Sequence, residues 1–103
     1  MKPGKIIFLD DELQRSYDSL KDDDPIKKGI KKALKEISEN AFCGRNVKRE
    51  LVPKKYSNLK SLWIYNLPSA WRLVYSIAPN EIEIIAVVLD WMDHKDYERL
   101  FGY

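Results

Sequence analysis

Trp71-Arg72-Leu73-Val74-Tyr75-Ser76-Ile77 and Ile82-Glu83-Ile84-Ile85-Ala86-Val87-Val88-Leu89 decide the fold of this chain. The first stretch is apolar around one charged residue. The second carries no polar side chain between residues 84 and 89. Apolar, β-branched runs of this length read as strands, and an unbroken one suits a central strand covered on both faces. Residues 62–67 form a third such run. The connectors, 68–70 and 78–81, are short and contain proline, so strands 62–67, 71–77 and 82–91 are predicted to be antiparallel neighbours. Alternation puts Arg72 with Val74 and Ser76, and Trp71, Leu73, Tyr75 and Ile77 on the opposite face. A lone guanidinium on an inner strand is costly to bury. Arg72 is therefore expected to meet a cleft, an anion or a partner. An internal ion pair with Asp90 or Asp93 is the alternative.

Working outward, residues 5–9 read as a short strand. Asp10 or Asp11 can cap a first helix with Leu13, Tyr17 and Leu20 on one side. The run Lys21-Asp22-Asp23-Asp24 ends it. Asp24 then caps a second helix that opens with Pro25 and buries Ile26, Ile30, Ala33, Leu34 and Ile37. Gly44 is placed to end this helix. Residues 42–61 have no sustained period; Leu51-Val52-Pro53 suggests a short extended piece, because proline biases the residue before it away from helix. Asp93 can cap a last helix reaching about Phe101. The order is strand, helix, helix, three strands, helix. It predicts one α+β domain over residues 1–103, with a helical hairpin packed on one face of a mostly antiparallel sheet.

The composition, 45% hydrophobic and 33% charged, is that of a folded soluble chain, and no run approaches the length of a membrane span. Four apolar residues, 6–9, are too few for a secretory signal core. One cysteine, Cys43, excludes an internal disulfide and suits a reducing cytoplasm, where it is expected to be a small buried residue. No clustered glycines suggest a phosphate-binding loop. Asp90, Asp93 and His94 have a spacing that could hold a metal, but capping and ion pairing explain them as well, and no metal is expected.

The net charge of +2 conceals strong segregation: residues 10–24 carry −5, residues 25–41 carry +3, residues 42–60 carry +5 and residues 61–103 carry −3. Lysines 27–35 interleave with an apolar helical stripe and read as a solvated face. The charges of 42–60 fall outside any helical pattern. Among them Lys48, Arg49, Lys54 and Lys55 are expected to meet a polyanion.

Trp71-Arg72-Leu73-Val74-Tyr75 resembles the tyrosine-arginine-leucine-valine-tyrosine strand of the RelE/ParE superfamily of bacterial and archaeal toxins. Asn66-Leu67-Pro68 resembles that family's turn, and His94-Lys95 its His-Arg or His-Lys tail. The order of elements and the length also fit. The resemblance implies the toxin of a type II toxin–antitoxin system, cytoplasmic and held inactive by a cognate antitoxin. It further implies a metal-independent, cofactor-free endoribonuclease that cleaves mRNA on the ribosome. An acidic antitoxin segment would dock on the sheet or the hairpin. The family also includes ParE-like inhibitors of gyrase, so a non-nuclease inhibitor, or an inactive RNA- or antitoxin-binding homologue, is the alternative.

On this resemblance Arg72 matches the catalytic strand arginine and would hold phosphate oxygens in its planar fork. His94 is the candidate for proton transfer, against an ordinary hydrogen bond to Asp90 or Asp93. Lys95 stands where many relatives carry arginine, and is otherwise a solvated helix lysine. Tyr97 is the match for a C-terminal tyrosine, although it follows Lys95 more closely than is usual. Phe101 sits at the more distant position without a hydroxyl, and Tyr103 is a further candidate. RelE-type nucleases place two lysines on the strand before the arginine; this chain has Trp63 and Tyr65 there. These two would stack on RNA bases or pack in the interior. Lys54 and Lys55 would then supply the missing charge.

Overall fold

A central strand needs covering on both faces, and the chain supplies two different covers. The computed structural model describes residues 5–79 and 84–102. Its strands are β1 (Lys5–Phe8), β2 (Arg45–Asn46), β3 (Trp63–Asn66), β4 (Arg72–Pro79) and β5 (Ile84–Met92); its helices are α1 (Asp11–Ser19), α2 (Pro25–Glu39) and α3 (His94–Phe101). One five-stranded sheet runs β1-β5-β4-β3-β2. β1 is parallel to β5, and every other pairing is antiparallel. The protein is thus α+β, with a mixed sheet. Among the described residues no helix is long and apolar enough to cross a membrane.

Local chemistry sets the helix starts as the sequence suggests. The Asp10 carboxylate accepts from the Leu13 amide at 2.8 Å, and the Asp24 carboxylate accepts from the Ile26 amide at 2.8 Å, with Pro25 opening α2. Ile30, Ala33 and Ile37 of α2 are fully buried against Leu73, Tyr75, Ile77, Ala86 and Val88. This is the hairpin face. On the opposite face a second core joins Val47, Tyr56, Leu62, Ile64, Val74, Leu89, Met92 and Tyr97. The hairpin is therefore one of two layers; α3 and the segment between β2 and β3 make the other.

Three local expectations are corrected. α2 ends at Asn40, whose side chain accepts from the Phe42 amide at 3.0 Å and starts a 3-10 turn, Ala41–Cys43. Asparagine competes for the backbone there, so Gly44 is not needed as a stop. Cys43 is exposed on that turn, not buried. Residues 51–53 form no strand: 3-10 turns at Arg49–Leu51 and Lys54–Tyr56 flank an extended Val52-Pro53, and the strand that does lie between α2 and β3 is the two-residue β2. Two residues are too few to leave a period in the sequence. The turn expected at 78–81 lies largely outside the described residues.

Between β3 and β4 the chain turns through Ser69 (φ 57°) and Ala70 (φ 63°), both in the left-handed region without being glycine. A register shift between Val74 and Tyr75 makes Val74 face Asp90 and Tyr75 face Val88. Leu89 is the extra residue of this bulge and belongs, with Val74 and Met92, to the second core.

Candidate functional site

Arg72 opens β4, paired with Asn66 of β3 on one side and Met92 of β5 on the other. It is half-buried, and its guanidinium carbon lies 5.1 Å from the centroid of the Tyr97 ring, within reach of a cation–π contact. Nη1 also donates to the Trp71 carbonyl at 3.3 Å. Tyr97 is held in the first turns of α3, where the Asp93 carboxylate caps the helix by accepting from the Asp96 amide at 2.9 Å. Arg45 approaches from β2, and its Nη2 donates to the Tyr97 hydroxyl oxygen at 2.7 Å. Two guanidinium groups thus grip one phenol, at its face and at its oxygen.

Neither arginine has a carboxylate within ion-pairing distance among the described residues, where the ion pairs are Lys27–Asp22, Lys32–Glu36 and Arg99–Asp96, and His94 contacts Glu98. The alternative of an Arg72 pair with Asp90 or Asp93 is not realised. The Asp90 carboxylate accepts from the Trp91 amide at 2.8 Å, and that of Asp93 is used in the cap. Two cations held beside one another in this way make a ready anion site.

The remaining sequence-predicted residues divide between this site and other places. His94 is exposed one turn before Tyr97. Its Nε2 lies 3.0 Å from Glu98 Oε1, not on Asp90 or Asp93. Lys95 is exposed beside it. Trp63 and Tyr65 lie across the sheet from Arg72, on the hairpin face. Trp63 stacks on Tyr75 with centroids 6.3 Å apart and meets Phe42 edge-on at 5.6 Å. Burial, with the Glu36 carboxylate beside it, pushes the Tyr65 phenol up to about 12. Both are half-buried and pack against the hairpin-face core. Phe101 packs on the Tyr97 ring at 4.8 Å, and Tyr103 lies outside the described residues.

The basic segment also divides. Arg49 is a clamp within its own loop, donating to the carbonyls of Leu59 (2.7 Å) and Ser57. Lys48 and Lys60 line a hollow of about 190 Å³ that starts at Asn46, next to Arg45. Lys54 is exposed. Lys55 lies over the Tyr56 ring at 5.5 Å and lines two hollows with Asp90, toward β5 and the end of β1. The hollow next to Arg45 is thus lined by the charges of Lys48, Arg49 and Lys60. Among the described residues no three side chains of His, Cys, Asp or Glu gather as a metal site.

Arg45 was not singled out by the sequence. It stands alone after Gly44 in a stretch with no period, and its only signal is membership of the +5 segment. No family model matches the chain, and no curated protein or solved structure matches it.

Proposed function

We propose that this protein is a RelE-like toxin of a type II toxin–antitoxin system, a metal-independent endoribonuclease acting on mRNA in the ribosome. The observation that carries this reading is the pair of guanidinium groups, Arg45 and Arg72, around Tyr97, neither of them ion-paired to a carboxylate among the described residues. The strand, helix, helix, strands, helix order and the basic groove beside Arg45 support it.

RNA cleavage without metal uses the neighbouring 2′-hydroxyl as nucleophile. A base removes its proton, cations stabilise the crowded phosphorane, and an acid protonates the departing 5′-oxygen. Arg72 takes the cation role with its planar fork. His94, exposed on the same helix as Tyr97, is the proton carrier, and Lys95 adds charge at the helix start. Tyr97 is 6% exposed, so its part is to hold the two arginines at a fixed separation. The cytoplasm is the setting, and an acidic antitoxin segment is the inhibitory partner.

The burial of Tyr97 favours one competing reading: an inhibitor that grips an anionic target, RNA or a gyrase complex, without cutting it. Purified ribosomes programmed with a defined message separate the two. Cleavage that disappears in Arg72→Ala supports the nuclease. Growth arrest by the protein with the message left intact supports the inhibitor.

A further inference from the structure

We propose that Tyr75 is a positioning residue for this anion grip, acting through Gly44 and Arg45 from the opposite face of the sheet. The phosphate part of the inference rests on the reading above; the positioning part does not.

Arg45 belongs to a strand of two residues at the sheet edge, paired with β3. Such a short edge strand holds a side chain poorly by itself. What precedes it is tied much more firmly. The Tyr75 hydroxyl donates to the Ala41 carbonyl at 2.8 Å and accepts from the Gly44 amide at 3.0 Å. One hydroxyl therefore closes the 3-10 turn that delivers the chain to Arg45. Tyr75 is itself immovable: it is fully buried, stacked on Trp63 and packed in the hairpin-face core.

Gly44 is where the two faces communicate. A Cβ there would lie 2.5 Å from the Tyr75 hydroxyl oxygen and 2.8 Å from the Ile64 carbonyl oxygen. Only glycine allows the backbone so close to the hydroxyl and to β3 together. The next residue is Arg45, in register with Ile64, which belongs to the second core. The chain thus rounds the edge of the sheet in one step, from the Tyr75 hydroxyl on one face to the Arg45–Tyr97 bond on the other. Removing the hydroxyl leaves the Ala41 carbonyl and Gly44 amide unpaired, and the turn relaxes. Arg45 then loses its fixed reach to Tyr97, and the separation of the two guanidinium groups is no longer set.

The test is a double-mutant cycle of Tyr75→Phe and Arg45→Ala with two readouts. The first uses the protein alone: the side-chain nitrogen resonances of Arg45 should show restricted guanidinium rotation in the wild type and averaged rotation in Tyr75→Phe. The second is affinity for a single-stranded RNA that is 2′-O-methylated and so cannot be cleaved. Tyr75→Phe should weaken it about fivefold when Arg45 is present, the scale of one neutral hydrogen bond, and not at all when Arg45 is alanine. Equal weakening in both backgrounds, or unchanged Arg45 resonances, overturns the proposal. A wild-type protein that binds no RNA overturns the functional reading, while the Arg45 resonances still decide the positioning. Gly44→Ala presses on the same contact from the other partner. It should give the same two changes even if Tyr75→Phe folds poorly, and an undisturbed Arg45 in that variant counts against the proposal.

Discussion

Arg72 and Tyr97 meet face on, guanidinium carbon to ring centroid at 5.1 Å, and the same phenol accepts a hydrogen bond from Arg45 at 2.7 Å. Tyr97 is thus a spacer between two like charges. Arg72 is half-buried and Arg45 exposed, and their mutual repulsion is relieved by any anion that enters between them. A phosphate diester has the charge and the oxygen geometry for two planar forks.

Arg72→Ala should reduce message cleavage by roughly a hundredfold or more, the scale seen when one donor to a developing charge is removed. Arg72→Lys should recover little of this, because an ammonium is a point charge without a fork. Thermal unfolding should change only slightly, since a cation–π interaction such as that with Tyr97 is worth about 0.5–2 kcal/mol. A large fall in melting temperature in step with activity would instead mark Arg72 as structural.

Tyr97→Phe separates the two functions of the phenol. The ring stays beneath Arg72 and against Phe101, while the bond from Arg45 disappears. Urea unfolding should report a loss of about 1 kcal/mol, together with weaker RNA binding. Tyr97→Ala opens the second core and should cost about 3–5 kcal/mol, a large share of the stability of a domain this size.

The lysines of the basic segment should behave according to place rather than charge. Lys48→Ala and Lys60→Ala should each weaken RNA binding without a change in melting temperature. Each should also lower the slope of log affinity against log salt by about 0.7. Lys54→Ala with Lys55→Ala should have the smaller effect, because Lys55 faces Asp90 and not Arg45. Arg49→Ala should destabilise the loop, since the carbonyls of Leu59 and Ser57 lose their donor. A common effect of all five on RNA affinity would contradict this division.

Asp90 gives a dependence on pH. Burial holds its carboxyl above the ordinary 3.8, against the opposing pull of the Trp91 amide and Lys55. A carboxyl raised on folding binds more protons in the native state. Stability therefore falls as pH rises through the interval from 3.8 to its folded value, and is lower above it. Asp90→Asn keeps an oxygen for the Trp91 amide and removes the charge. It should unfold at a higher temperature than the wild type at pH 7, and the gain should vanish below pH 3.8. An equal gain at both pH values would mean that the charge is not the cause.

The α+β class, both hairpin helices with their aspartate caps, the face of β4 that carries Arg72 and the cap of α3 were all legible in the residues. Each depends on groups close in sequence: a carboxylate two or three positions from the amide it accepts from, or side chains alternating along one strand. Trp63 and Tyr65 were legible as large aromatics on a strand, with RNA stacking and packing both open. The fold accounts for their half-buried part by packing, because β3 turns them toward α2 and Tyr75.

What the tertiary structure alone decided is the company each charge keeps. The parallel pairing of β1 with β5 and the bulge at Leu89 arise from contacts between distant segments. So does the meeting of Arg45, Arg72 and Tyr97, whose shortest bond joins partners 52 positions apart. The sequence by itself determined that Arg72 had to be explained. Only the folded chain could give it a neighbour, because the strand that carries Arg45 is two residues long and exists through its pairing with β3 and a hydroxyl from the far face.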